Sequence, residues 1–485
     1  MQKRCAERSY AALACAFCLW LSAASHAQEQ EPRPPLAGSN FDIDVVTGPV
    51  LGAGRIVGIG GAYTALASSV EAAGWNPAAY AARGFWETDW FEWDLTGSLV
   101  PRTIKNSDFD NNGESGFKYS DFVFGTLGVG ARFGAVGVGA LVNAQAYQVG
   151  SLADLSLAVL SYGGGYGLLD GQLVLGAGLR TAVLSLSDRP SGEPLVEFAG
   201  SAPEAGAVLR LADRPWRIGL AARLPVESSG GDALVAAGLT LPRLVRLPWE
   251  VQAGFAWQLG ARPLNARWVN PRDDKAREHA QVREARARRA REQLERELLD
   301  ERLSLAQQRT PPEWASGKLR TLAQPRDPRW QREELARRQR EERELERRLL
   351  RAEQARERAV RQLSRRFLLL SADAIIVGPT ENGVGLESFL SQERQTSGED
   401  ATVGLRVGAE GEPVTNWMKM RAGTYLEPSR FAGVSYRVHA TTGFDVRLFT
   451  WDLFGLLNDF TVLFGASADV AERYLNVGVG LGLWH

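Results

Sequence analysis

Apolar residues recur with period two along segment after segment of this chain, and that pattern limits the folds open to it. In Trp249–Leu259, Trp249, Val251, Ala253, Phe255, Trp257 and Leu259 share one face, while Glu250, Gln252, Gly254, Ala256 and Gln258 share the other. Trp216–Leu224 places Arg217 and Arg223 opposite its apolar face. Val403, Leu405, Val407 and Ala409 alternate with Gly404, Arg406, Gly408 and Glu410, and Leu475–Leu483 alternates with Asn476 and three glycines. Successive side chains of a strand point to opposite faces, so these are strands with one apolar side and one polar or glycine side. They are about ten residues long, beyond the roughly 5–6 residues usual in a soluble sandwich. Trp86, Trp90, Trp93, Trp249, Trp257, Trp417, Tyr425 and Trp484 fall near strand ends, where a membrane barrel carries its aromatic girdles. A soluble β-sandwich is the competing fold; the pattern favours a barrel with a lipid-facing exterior and a wet or plugged lumen.

The N-terminus supports export. Lys3 and Arg4 precede the apolar run Ala11–Leu21 and the small residues that end at Ala27, the order of a secretory signal peptide over 1–27. All three cysteines, Cys5, Cys15 and Cys18, lie inside it, which leaves no disulfide framework, thiolate metal site or cysteine nucleophile beyond. Beyond residue 27 no continuous apolar stretch approaches the roughly 20 residues of a transmembrane helix.

Residues 28–40 read as a polar, proline-rich flexible lead. The segment 41–84 is dense in small residues, among them Gly52-Ala53-Gly54-Arg55 and Gly60-Gly61-Ala62-Tyr63-Thr64-Ala65-Leu66-Ala67, followed by Asn76-Pro77-Ala78. A dinucleotide site would need a strand, a glycine turn, a helix and a distant acid, and the helical pattern here is short and breaks at Asn76-Pro77. Such small residues suit a compact segment in a confined space. These motifs, with Val403–Glu410 and Met418–Pro428, resemble the FadL/TodX family of outer-membrane channels for long-chain fatty acids and other hydrophobic compounds. Two positions depart from the family pattern: Ala79 stands where Asn-Pro-Ala is often followed by glycine, and His485 follows Trp484 at a terminus that commonly ends on an aromatic residue.

The resemblance implies an all-β membrane protein, a 14-stranded antiparallel outer-membrane β-barrel around an N-terminal plug (41–84), with strands 1–8 within 85–265 and strands 9–14 within 367–485. The strands are expected to open near Phe85, Phe117, Ala135, Leu152, Gln172, Glu204, Trp216, Val245, Phe367, Thr402, Asn416, Ser435, Thr461 and Tyr474. Long connections are expected after strands 1, 5, 7 and 9, and short ones after 2, 6 and 10. It further implies passive transport of a hydrophobic small molecule across the outer membrane, with Gly54, Arg55, Asn76 and Pro77 setting plug shape.

Residues 266–366 interrupt the strand rhythm. From 271 to 366 there are 28 Lys/Arg against 19 Asp/Glu, a net of +9, while the rest of the chain carries −10. Prolines between 311 and 328 divide this stretch into helical runs over 274–309 and 329–366, which carry Glu→Arg pairs four apart such as Glu284/Arg288 and Glu344/Arg348. The stripe Leu345, Leu349, Ala352, Ala359, Leu363 and the set Ala287, Leu294, Leu298, Leu305 permit an antiparallel, coiled-coil-like hairpin about 50 Å long. Two independent solvated helices fit as well. Interleaved acids argue against nucleic acid. The strand parity places the insertion on the periplasmic side, where it could meet an envelope partner or an anionic surface. A barrel that merely anchors those helices is the alternative function.

Catalysis finds little to use. Beyond residue 27 the histidines are His279, His439 and His485, with no Ser/His/Asp arrangement, metal-ligand spacing or phosphate loop. The chain reads as a non-enzyme without cofactor or metal. Arg180, Arg217, Arg223, Arg421, Arg437 and His439 are expected to face the lumen, where the arginines either meet a carboxylate headgroup or pair with lumenal acids.

Overall fold

The computed structural model describes residues 33–485 apart from 46–47, 102–104, 107, 115–118, 150–152, 190–191, 193, 230–234, 237–238, 266, 269, 308–327, 362, 364–365, 454–456 and 484–485. The expected signal peptide lies outside these residues. Residues up to Pro35 form a unit apart from Leu36–His485, and the barrel belongs to the second.

Fourteen antiparallel strands form the wall: β1 (Phe91–Pro101), β2 (Tyr119–Phe133), β3 (Val136–Val149), β4 (Ala153–Leu168), β5 (Leu173–Asp188), β6 (Pro194–Leu209), β7 (Trp216–Arg223), β8 (Glu250–Gly260), β9 (Phe367–Val377), β10 (Thr402–Val414), β11 (Met418–Glu427), β12 (Arg437–Leu453), β13 (Leu457–Ala471) and β14 (Tyr474–Leu483). Each pairs with its neighbour in sequence, and β1 closes on β14 from Thr96↔Gly482 to Leu99↔Val479. Closure has a physical cause: an unpaired backbone group in hydrocarbon costs several kcal/mol, so a sheet facing lipid cannot keep a free edge. On β8 the outward Phe255 and Trp257 are 45% and 47% exposed, while the inward Gln252 and Gln258 are buried. Apolar rows of this kind run around the outside, an area far beyond what a soluble monomer exposes. The chain is an outer-membrane-type β-barrel. No described helix is long and apolar enough to cross a membrane.

Most strands open where the alternation places them; β13 opens earlier, at Leu457 against the expected Thr461, and β1, β6 and β8 depart for local causes. β1 opens at Phe91 because Phe85–Trp90 is a non-strand link, with Phe85 and Trp86 edge to face at 4.9 Å. β6 opens at Pro194 rather than near Glu204, since Pro203 obscures the alternation. It is ladder-bonded to β7 only from Glu204 to Leu209, so Pro203 lies where a missing N–H costs no bond to β7. The connection after β5 is consequently short, 189–193, against the long one expected. β8 opens at Glu250; Leu244–Leu247 belongs to a separate small sheet. Tyr425, expected in the outer girdle, points inward and is buried.

One end of the barrel carries short turns and the free ends of β1 and β14; the other carries longer loops. At the loop end Asp42–Asp44 lies parallel to both Leu244–Leu247 and Gly383–Val384, and Val226–Ser229 extends the sheet. Asp44 receives hydrogen bonds from Arg430 (2.9 and 3.1 Å), Thr380 and Ser397. Leu36, within the expected flexible lead (28–40), is buried in one cluster with Phe41, so that end of the lead is packed. From Val50 the chain descends into the lumen as the plug, through the short helix Gly54–Gly58 and 3-10 turns at Val70–Ala72 and Pro77–Tyr80.

The plug fits because the inner wall has glycines where the two backbones meet. A Cβ on Gly219 would lie 2.2 Å from the Thr64 carbonyl oxygen, on Gly176 2.2 Å from that of Pro77, and on Gly408 2.3 Å from that of Ile59. The "glycine face" of the alternating strands is therefore the plug's seat.

The insertion leaves at Gly260 and returns at Phe367, which are cross-strand partners, so it leaves the β8–β9 ladder intact. Its helices α1 (Pro271–Gln307) and α2 (Pro328–Arg361) touch in antiparallel sense through Glu341, which accepts from Arg286 at 2.7 Å and Arg289 at 2.8 Å. Leu345 is buried, but Leu294 and Leu298 stay exposed, so the first helix's expected stripe is not what packs. The pairs Glu284/Arg288 and Glu344/Arg348 form at 2.8 and 3.0 Å.

The glycine seat gives a direct prediction. Gly219→Val should cost about 1–3 kcal/mol as overpacking and displace the plug without opening the barrel. The checks are the heat-modifiable folded band on gel, expected unchanged, and ion conductance in planar bilayers, expected to rise.

Candidate functional site

The plug packs against apolar wall residues such as Val174, Val208, Ala256 and Leu369, and polar groups fasten it further. Arg55, at the start of the Gly54–Gly58 helix, donates from Nε and Nη2 to both carboxylate oxygens of Glu410 (2.7 and 3.0 Å). Its Nη1 reaches the Tyr63 hydroxyl at 2.7 Å, which in turn donates to Glu71 at 2.7 Å. Arg421 also donates to Glu410 at 2.7 Å and pairs with Asp445, so one buried carboxylate serves two guanidinium groups. This is the geometry in which arginine is strongest, a planar fork on a carboxylate. Thr64 donates its backbone N–H to Asp373 at 2.8 Å and its hydroxyl to Gln252 at 2.7 Å. The backbone N–H groups of Val70 and Val50 go to Asp94 at 2.6 Å and the Tyr425 hydroxyl at 3.1 Å.

Asn76 and Pro77 have separate tasks. Asn76 Oδ1 accepts from the Ala78 N–H at 3.0 Å and so caps the turn that Pro77 opens, proline being suited to the first position because it has no N–H to satisfy. The Asn76 amide donates to Thr64 and Ala207 carbonyls at 2.9 and 3.2 Å, which tie plug to plug and plug to β6.

The lumenal cations divide into paired and cavity-facing groups. Arg223 pairs with Glu204 and Glu250 and also donates to the Gly74 carbonyl at 2.6 Å. Arg217 donates to the Leu66 and Leu264 carbonyls and to Asn265, and works as a brace between wall and plug. Arg437 and His439 share Glu427: Arg437 Nε lies 2.7 Å and His439 Nε2 2.7 Å from Glu427 Oε2. His439 Nδ1 is 2.9 Å from Asp469, and its ring stacks on Tyr425 at 4.1 Å. His439 is fully buried. Its ring nitrogens are thus held between two carboxylates inside a wall-bracing network.

Among the described residues, cavities lie on both the loop side and the turn side of the plug. The one on the loop side, about 180 Å³, lies between Val50, Leu51 and Trp75 of the plug and the inner wall, where Leu157, Val159 and Ile375 supply apolar surface. Arg180 and Arg406 face it, and among the described residues neither has an ion pair with a carboxylate within 4.0 Å. The smaller one, about 100 Å³, lies toward the turns and is lined by Arg55, Glu71, Glu410, Arg421 and Asp445. A solute on the loop side therefore meets a partly apolar chamber, then the plug, then a charged chamber. An apolar cavity of about 150 Å³ is enough to hold benzene.

Of the residues singled out from sequence, Gly54 and Arg55 line the turn-side chamber with Arg421, and Arg180 and Arg223 the loop-side one. Asn76, Pro77 and Arg217 are structural contacts of the plug, and Arg437 and His439 stand in the Glu427–Asp469 network. Arg406 is visible in the sequence only as part of a strand face, and Glu410 has no partner there to announce it. A signal exists in the acids Glu410, Glu427 and Asp445, which share strand parity with Arg406, Arg421 and Arg437.

No family model matches the chain, and no curated protein matches it. Among solved structures it is similar to the toluene transporter TodX of P. putida, at 12% identity, covering 91% of this chain and 99% of that one, with a TM-score of 0.45. It is also similar to the CymD monoaromatic hydrocarbon channel (9% identity, 89% and 97% covered, TM-score 0.44). A Pseudomonas aeruginosa FadL homologue is similar at 11% identity, with 93% and 98% covered and a TM-score of 0.42. The barrel, plug and chambers stand on this chain's own residues.

Glu410→Ala strips both Arg55 and Arg421 of a shared buried partner. Removing one side of a buried pair costs about 3–5 kcal/mol, so the thermal midpoint should fall and the plug should become accessible to protease. Glu410→Gln, which keeps the shape and one acceptor, should recover part of the loss.

Proposed function

We propose that this chain is an outer-membrane channel for the passive uptake of hydrophobic small molecules, with long-chain fatty acids as a leading class. The observation that carries the proposal is the loop-side chamber, a partly apolar pocket where Arg180 and Arg406 have no described carboxylate within 4.0 Å although Glu250 and Glu427 also line it, closed below by a plug held in part through exchangeable polar contacts. A lipopolysaccharide-coated surface resists apolar solutes, and such a pocket offers them a place to leave water. An alkyl chain would lie against Trp75, Leu157, Val159 and Ile375, with its carboxylate between Arg180 and Arg406. The plug then yields and the solute leaves the lumen.

In this reading the loop end faces outward and the turn end faces the periplasm, as in barrels whose outer loops exceed their inner turns. The α1–α2 insertion then projects into the periplasm as an accessory. The anchoring alternative gains no support from the structure and is set aside.

The chemistry of the pocket separates two classes of cargo. Arg180→Ala and Arg406→Ala should each lower uptake of a labelled long-chain fatty acid about tenfold or more, since a charge-assisted hydrogen bond is worth about 1.5–3 kcal/mol, and leave uptake of toluene near wild type. The assay is initial uptake in a deletion strain complemented with each variant at matched levels of folded barrel. Equal loss for both compounds, or for neither, would remove the headgroup role.

A further inference from the structure

At the turn end, outside the lumen, the described residues line an open pocket of about 520 Å³ that the transport path does not use. Its walls come from the β2–β3 and β4–β5 turns, the exit of the plug, the start of the β6–β7 turn and the base of α1. Four arginines line it, Arg83, Arg210, Arg267 and Arg277, against two acids, Asp170 and Asp273.

The two inner arginines are buried and hydrogen-bonded to backbone carbonyls. Arg83 donates to Gly134, Asp89 and Trp90, each at 2.9 Å, and its nearest carboxylate in the described set, Glu87, lies 3.8 Å away. Arg210 donates to the carbonyls of Gly171 (2.6 Å) and Arg83. Among the described residues no ion pair joins Arg210, Arg267 or Arg277 to an acid. Burial, together with Arg132 and Arg83 nearby, pulls the Arg210 guanidinium down to about 10, against partial compensation by Glu87. Four guanidinium groups against the carboxylates of Asp170 and Asp273 thus leave a net positive charge on this lining. Trp268 lies 4.4 Å from the Arg83 guanidinium, and its indole N–H is buried with no acceptor. An anion would balance the net charge of this lining and give the Trp268 N–H an acceptor.

The location says which anion. Tyr166, Leu168 and Leu169, on the rim, are 50%, 37% and 69% exposed, and continue the apolar outer face of β4. Trp90 and Trp268 sit at the same level, where aromatic residues mark the membrane–water boundary. We propose that this cavity binds the phosphate headgroup of an anionic phospholipid from the adjoining leaflet, its acyl chains lying along Tyr166, Leu168 and the outer face of β4. The proposal rests on the barrel spanning a bilayer, and on nothing about the cargo.

The test uses the full-length protein in detergent, given equimolar phosphatidylglycerol and phosphatidylcholine and read by native mass spectrometry. Phosphatidylglycerol should be retained about tenfold or more over phosphatidylcholine, since each arginine near a headgroup layer contributes about 1 kcal/mol. Arg267→Glu with Arg277→Glu, both exposed in the wild type, should bring the ratio to about twofold or less while the folded band on gel persists. Arg210→Gln probes the inner donor by the same ratio. Equal retention of the two lipids, or an unchanged ratio in the double variant, would overturn the proposal. So would displacement of the lipid by millimolar inorganic phosphate, which marks a free-anion site, or by oleate, which marks a cargo site.

Discussion

The close approach of two backbones, plug against wall, is the contact on which the rest of this structure depends. It is possible only where the wall lacks a Cβ, at positions such as Gly176, Gly219 and Gly408. Each brings a strand within reach of a plug carbonyl, so the plug's polar groups find partners inside the barrel: Thr64 with Asp373 and Gln252, Val70 with Asp94, Val50 with Tyr425. Plug position in turn decides where space is left. The loop-side chamber is bounded on the plug by Leu51 and Trp75, and the turn-side chamber by Arg55 in its pair with Glu410.

The kind of contact matters as much as its presence. A buried ion pair such as Arg55–Glu410 is poor evidence for stability, because desolvation offsets much of the Coulomb attraction; its clearer effect is to fix one arrangement. A hydrogen bond exchanged for water changes the free energy by only about 0.5–1.5 kcal/mol net. The polar part of the seat can exchange partners when water or solute enters, whereas the apolar part, where Ile59 and Leu66 share a cluster with Val208 and Leu369, would leave cavities behind. The same asymmetry separates the two faces of the wall: the outer ladder faces hydrocarbon and must close, while the inner face can exchange partners.

Much of this is legible in the amino-acid order. Inward and outward parity on β7, β8 and β10 follows from alternation alone, and the glycines opposite the apolar residues prove to be the seat of the plug. What stays hidden depends on distance in sequence or on weak local signals. Asp42–Asp44 is three residues with charged ends, so no periodicity could mark it as the central strand of the sheet over the mouth. Pro203 breaks the pattern of β6, so the alternation shows only from Glu204 although the strand begins at Pro194. Tyr425 looks like a girdle residue because aromatics near strand ends usually are, and only its parity with Arg421 and Glu427 shows otherwise. Arg421 and Glu410 are directly opposed once the β10–β11 register is set. Arg55 and Glu410, by contrast, come together only through the threading of the plug.

The central claim is that a hydrophobic solute passes through this lumen and that the plug must shift to let it pass. A Cβ on Gly54 would lie 3.9 Å from that of Ser467, within the range of about 3.5–4.5 Å that a disulfide spans. Gly54→Cys with Ser467→Cys therefore tethers the plug helix to β13 with little distortion. Uptake of a labelled hydrophobic compound should stop when this variant is oxidised and return on reduction, with wild type indifferent to either treatment. Equal uptake in the oxidised and reduced forms, with the cross-link verified, would contradict the account.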